Sequence, residues 1–129
     1  MAWIHLVAGL ALLEYIFFIY LVGKARGTFG VKAPATTGHE IFERYFRVQM
    51  NTLELIVVFL PALALAAQYW DPRWVAAIGA LFPIGRAIYL RSYVADPASR
   101  SLGYTLSVVP IAVMLIGAGV GVLRALIGF

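Results

Sequence analysis

The hydrophobic positions of this 129-residue chain fall into four long runs: residues 3 to 23, about 51 to 70, about 73 to 94 and about 103 to 127. Each run is continuous and rich in Leu and Ala, and each approaches the ~20 apolar residues that a helix needs to cross a bilayer core of ~30 Å. The strands of a transmembrane barrel would instead alternate apolar and polar positions over about ten residues. The pattern therefore predicts an all-α membrane protein. It is expected to form a single domain over residues 1–129, a bundle of four transmembrane helices at about 3–23, 43–70, 73–95 and 98–127.

Polar positions mark the connections. KARGTFGVKAPATTGHEIF is the only long polar segment. Gly27, Gly30, Pro34 and Gly38 are expected to break any helix through it, leaving an ordered loop at the membrane surface. YWDPRW suits a tight turn, with Trp70 and Trp74 at an aromatic belt. YVADPASRSLGY reads as a helix stop followed by a start, with Asp96 as cap, Pro97 at the first helical position and Arg100 in the first turn. Pro61, Pro83 and Pro110 lie inside apolar runs and are expected to kink them. The small residues of GAGVG, 117 to 121, are expected to let helices pack closely.

Composition sharpens this picture. The chain is 63% hydrophobic and 12% charged, with a mean hydropathy of +0.90. Soluble domains are about a quarter charged, so most side chains here must meet lipid or another subunit. MAWIHLVAGL has no Lys or Arg ahead of its apolar core, which favours a retained helix over a cleaved signal. Cysteine is absent, which excludes disulfides, thiolate metal sites and a cysteine nucleophile. The net charge of +4 is distributed unevenly. Lys24, Arg26, Lys32, Arg44 and Arg47 surround the first connection, and Arg86, Arg91 and Arg100 the third; the opposite ends carry Arg73 and Arg124. The positive-inside rule puts those two connections in the cytoplasm and both termini outside, at the inner membrane if the source is bacterial. Ordinary topology explains the basic bias, so no nucleic-acid partner is expected.

One short stretch, ERYFRVQMNTLE at 43 to 54, concentrates polar chemistry. At 100° per residue Glu43, Arg47, Asn51 and Glu54 share an arc of about 80°, and Gln49 points roughly 150° from its centre. A pocket holding all of them needs a second helix or subunit. Such residues also serve as an interfacial ion pair and inter-helix glue, but Glu54 lies at least one turn below the rim, where an unpaired carboxylate costs several kcal/mol. It requires a cationic partner or ligand. On the third helix Arg86, Tyr89 and Tyr93 share one face near the same end; the tyrosines are also ordinary interfacial anchors. Arg100, at a helix N-terminus, and Arg26 add cations suited to an anion. Together these residues describe a pocket for a small zwitterion with more acids than amines.

FERYFRVQMNTLE with Pro61, TTG at 36 to 38 and RAIYLRSY at 86 to 93 resemble the MAPEG family, the membrane-associated proteins in eicosanoid and glutathione metabolism. That family includes microsomal glutathione transferases and leukotriene C4 synthase, and the chain looks like a bacterial-type member. The resemblance implies a homotrimer of four-helix subunits that binds glutathione, as co-substrate, between neighbouring subunits at the cytosolic side. It implies that Arg26, Arg47, Gln49, Asn51, Glu54, Arg86, Tyr89 and Tyr93 hold the tripeptide, and that Arg100 activates its thiol. Leu55 departs from the leukotriene-type pattern, where a tyrosine commonly follows the glutamate.

The implied activity is glutathione transfer to lipophilic electrophiles reaching the site from the bilayer, with reduction of lipid hydroperoxides as a companion reaction. Two other readings compete: a non-catalytic lipid-binding scaffold like the five-lipoxygenase activating protein of the same family, and a small transporter or channel subunit built around Glu14. For Glu14, packing against a Tyr or His is the expectation. His5 and His39 fall at opposite ends of the first helix, so no metal site is expected.

Overall fold

A computed structural model describes all 129 residues. Its helices are α1 (Ala2–Phe29), α2 (Glu40–Tyr69), α3 (Pro72–Gly79), α4 (Leu81–Ala95) and α5 (Ser101–Ile127), with a short 3₁₀ turn over Pro97–Ser99. The segments α1, α2, α3 with α4, and α5 are each long and apolar enough to cross a membrane. The chain is thus all-helical, with four helices of membrane-spanning character.

Two element ends differ from the expectations. α1 continues to Phe29, with Gly27 inside it. An interior glycine costs only about 1 kcal/mol, and Lys24 and Arg26 favour the C-terminal end of the helix dipole. The stop comes at Gly30, whose φ of 71° is left-handed and whose N–H donates to the Arg26 carbonyl. α2 starts at Glu40, because the His39 imidazole caps it by accepting from the Ile41 N–H. The third span is two helices, broken at Ala80. Pro83 has no N–H to give the Gly79 carbonyl, which ends the first ladder there. Pro61 and Pro110 are accommodated within continuous helices.

The 30–39 connection is ordered by side chains. Arg26 donates from Nη1 to the Ala35 carbonyl at 2.6 Å and lies over the Phe42 ring, 4.8 Å from its centroid. Val31 is buried with Val22, Ala25 and Phe42. Glu43 accepts from the Gly38 N–H at 3.2 Å. Arg44 pairs with Glu40 at 2.7 Å and donates to the carbonyls of Val94 and Ala95, tying the start of α2 to the end of α4. Both basic connections therefore lie at one end of the bundle.

At the other end Trp70 donates from Nε1 to the Gly117 carbonyl at 2.7 Å, and the Tyr69 side chain occupies the space beside Gly121. Asp71 caps α3 and binds Arg73 at 2.8 Å, which holds its carboxyl at about 2, below the ordinary carboxylate range. The core between the ends is apolar, with Phe59 of α2 stacked on Phe82 of α4 at 4.1 Å. α4 and α5 approach most closely where glycines face the partner backbone. A Cβ on Gly103 would stand 2.5 Å from the Tyr89 nitrogen, and one on Gly85 2.8 Å from Ser107.

Candidate functional site

That close approach brings Arg86 of α4 into the middle of the bundle. Its side chain is fully buried. Nε donates to Ser107 Oγ at 2.8 Å, and Nη1 donates to Asn51 Oδ1 at 2.7 Å and to Thr52 Oγ1 at 3.3 Å. The guanidinium lies 4.3 Å from the centroid of the Tyr89 ring, close enough for a cation–π attraction. Every partner is neutral. Ser107 and Thr52 pass their own protons to the carbonyls of Gly103 and Val48 in the preceding turns. Nη2 of Arg86 is buried without a hydrogen bond, and so is Oε1 of Glu14 on α1. The two side chains are within electrostatic reach of each other.

Above this layer, toward the end with the basic connections, a cavity of about 260 Å³ is lined by Arg47, Asn51, Tyr89, Tyr93, Arg100 and Tyr104. α2 and α4 each contribute two residues, α5 contributes Tyr104, and Arg100 stands at the N-cap of α5. Asn51 joins the two layers: its carbonyl oxygen accepts from Arg86, and its amide lies 3.5 Å from Glu54. Glu54 meets Arg47 at 3.2 Å, and both side chains are about half exposed. The required cationic partner is thus on the same stripe of α2. Tyr89 stacks on Tyr93 at 5.3 Å and tilts against Tyr104 at 6.5 Å. Arg100 caps nothing with its side chain; its Nη1 donates to the Pro97 carbonyl at 3.0 Å and the residue is exposed. Asp96 accepts from the Ala98 N–H and sets up the turn that puts Arg100 there.

The wall so formed carries two cations, an amide and three phenols, with a carboxylate beside it. It can bind a small anionic molecule and stabilise negative charge on it. Three residues assigned to this site lie elsewhere within the chain. Arg86 is beneath the wall, its donors directed at Asn51, Thr52 and Ser107. Gln49 turns to α1, donating to the Tyr15 hydroxyl at 3.4 Å. Arg26 holds the 30–39 loop.

Comparison with known proteins matches residues 4–120 to the MAPEG family. The chain belongs to the MAPEG family. A relative in Synechocystis, an uncharacterized protein, is 40% identical over 121 residues, covering 94% of this chain and 88% of its own length. Human microsomal glutathione S-transferase 2 is 31% identical over 116 residues, covering 90% of this chain and 79% of the human protein. Rat leukotriene C4 synthase is 33% identical over 91 residues, covering 70% of this chain and 61% of the rat enzyme.

In this MAPEG chain the residue that sequence reasoning misses is Tyr104. Its position four residues after Arg100 is the available signal, since i and i+4 share a helix face. His39 stacks on Phe29 at 4.2 Å and caps α2, and no His, Asp and Glu cluster capable of holding a metal occurs.

Proposed function

We propose that this protein is a membrane-bound glutathione transferase, active as a homotrimer, that activates the glutathione thiol for attack on lipophilic electrophiles or lipid hydroperoxides. The observation that carries the reading is the cavity in which Arg47 and Arg100 converge with Asn51, Tyr89 and Tyr93. Similarity to microsomal glutathione S-transferase 2 over nine-tenths of the chain supports it. Glutathione offers two carboxylates, one ammonium and one thiol. Arg47 suits a carboxylate through forked hydrogen bonds, and Glu54 suits the γ-glutamyl ammonium.

The chemistry follows from acidity. A thiol with an ordinary pKa of about 8.5 is only a few per cent ionised at neutral pH, and the thiolate is the nucleophile. A guanidinium at contact distance lowers such a pKa by about one to three units. Arg100 has a free face on the cavity and no carboxylate partner, so its charge remains available to the sulfur. The protein needs no nucleophile of its own.

Trimer formation accounts for the residues that leave the cavity. Arg26 and Gln49 of one chain reach a shared tripeptide only from a neighbouring copy. The flank of α1, with Leu6, Leu13 and Phe17 exposed, leaves apolar area for lipid or for that copy. Arg86, in this reading, positions Asn51 and Tyr89 rather than contacting the ligand.

The test is glutathione titration into detergent-purified protein, with thiolate ultraviolet absorbance, a conjugation assay and the particle mass measured on one sample. Saturable binding with thiolate formation by a trimer is expected. Absence of glutathione binding overturns the reading in favour of the lipid-binding scaffold.

A further inference from the structure

Tyr104 has no task in holding the tripeptide. Of the seven tyrosines only Tyr15 has its hydroxyl in a hydrogen bond, as the acceptor from Gln49. The three phenols of the cavity are therefore free to act, but they differ in access. Tyr89 is 3% exposed, sandwiched between Arg86 and Tyr93. Tyr93 is one turn nearer the polar end of α4. Tyr104 is 42% exposed and stands one turn of α5 beyond Arg100, about 6 Å deeper by helical rise. It is followed by the apolar stretch of α5, so it lies between the cation that would hold sulfur and the side from which a lipid-soluble substrate arrives.

Resting on the glutathione reading above, we propose that Tyr104 is the general acid for hydroperoxide reduction at this site, donating its phenolic proton to the departing alkoxide. The thiolate sulfur bonds to the terminal peroxide oxygen, the O–O bond breaks, and its electron pair leaves on the other oxygen. That alkoxide takes the Tyr104 proton and departs as an alcohol. The sulfur is oxidised to a sulfenic acid, which a second glutathione thiol converts to disulfide and water. The tyrosinate regains from solvent the proton that the first thiol released. Transfer from phenol to alkoxide runs downhill, and a positioned acid contributes about 10²- to 10⁴-fold. Conjugation by displacement of chloride needs no such proton, because chloride leaves as a stable anion.

The experiment compares Tyr104→Phe with the unmutated protein, using cumene hydroperoxide, perbenzoic acid and chlorodinitrobenzene as probes. Phe keeps the ring that meets Tyr89, and thiolate absorbance of the variant reports an intact cavity. The ratio of cumene hydroperoxide reduction to conjugation is expected to fall about 100-fold. Perbenzoic acid reduction, in which a carboxylate leaves without a proton, is expected to fall far less. An unchanged ratio, or equal loss on both peroxides, overturns the acid role. Conjugation without hydroperoxide reduction in the unmutated protein also overturns it, while leaving the glutathione reading in place. Neither thiolate absorbance nor turnover in the unmutated protein overturns the glutathione reading, and the Tyr104 role with it.

Discussion

Two arginines on neighbouring helices of this bundle have opposite surroundings. Arg86 is sealed between α2, α4 and α5, with neutral oxygens at Nε and Nη1 and an aromatic ring against its face. Arg100 sits at the start of α5 as an exposed residue, its side chain making a single bond to a carbonyl three residues back. A buried guanidinium with Nε and Nη1 engaged fixes the positions of its partners. One with an open face keeps its field for whatever enters the cavity. The same side chain is thus a strut in one layer and, in the function proposed above, a reagent in the next, and Asn51 is the hinge between them.

The largest effect is expected from breaking the lower layer. Arg86→Met fills much of the volume but leaves Asn51 Oδ1 without its donor and removes the bonds to Ser107 and Thr52. Unsatisfied buried groups of this kind cost on the order of 3 kcal/mol together. Thermal unfolding in detergent should shift downward by about 10 °C, and cavity function should fall with it. A variant that melts normally yet no longer binds glutathione would move Arg86 from the strut into the wall.

Arg100→Met tests the upper layer. With one exposed carbonyl bond to lose, stability should change by less than about 0.5 kcal/mol. The thiol is where the loss should register. Without the cation its pKa returns upward toward about 8.5, so the thiolate fraction at neutral pH falls at least about tenfold and the activity–pH profile moves to higher pH. Binding of glutathione should persist, because Arg47 and Glu54 remain. An unmoved pH profile would show that Arg100 does not touch the sulfur.

What the sequence discloses about these layers is direction, not depth. Arg47, Asn51 and Glu54 lie on one arc of α2, and Arg86, Tyr89 and Tyr93 on one face of α4, because helical periodicity fixes those angles. Periodicity does not say how far a neighbouring backbone intrudes. Gly103 lets α5 reach the Tyr89 backbone, which seals Arg86 beneath the wall while Tyr89 remains in it. Tyr104 is missed for a related reason, since a tyrosine one turn into an apolar helix reads as an interfacial anchor until α4 is placed against it. The four spans are legible because lipid forces continuous apolar runs. The end of α1 is not, because Gly27 is tolerated within a helix and the stop belongs to Gly30. The capping roles of Asp71 and Asp96 rest on local Asp-Pro chemistry, whereas the structural tasks of Glu43 and Arg44 depend on partners in other elements.

Glu54→Gln gives the smallest expected effect and the finest test of the comparison, because Glu54 touches the upper layer without lining its cavity. Its ion pair with Arg47 spans 3.2 Å between half-exposed side chains, and pairs of that kind contribute about 0 to 1 kcal/mol. Stability should therefore hardly change. Glutathione affinity should weaken about tenfold, a loss of roughly 1.4 kcal/mol, because the ammonium of the γ-glutamyl group loses its only carboxylate. A glutathione analogue lacking that ammonium should bind the variant and the unmutated protein alike. If the analogue weakens as much as glutathione does, Glu54 acts by aiming Arg47 at a carboxylate. The acid then belongs with Arg86 among the residues that position the wall.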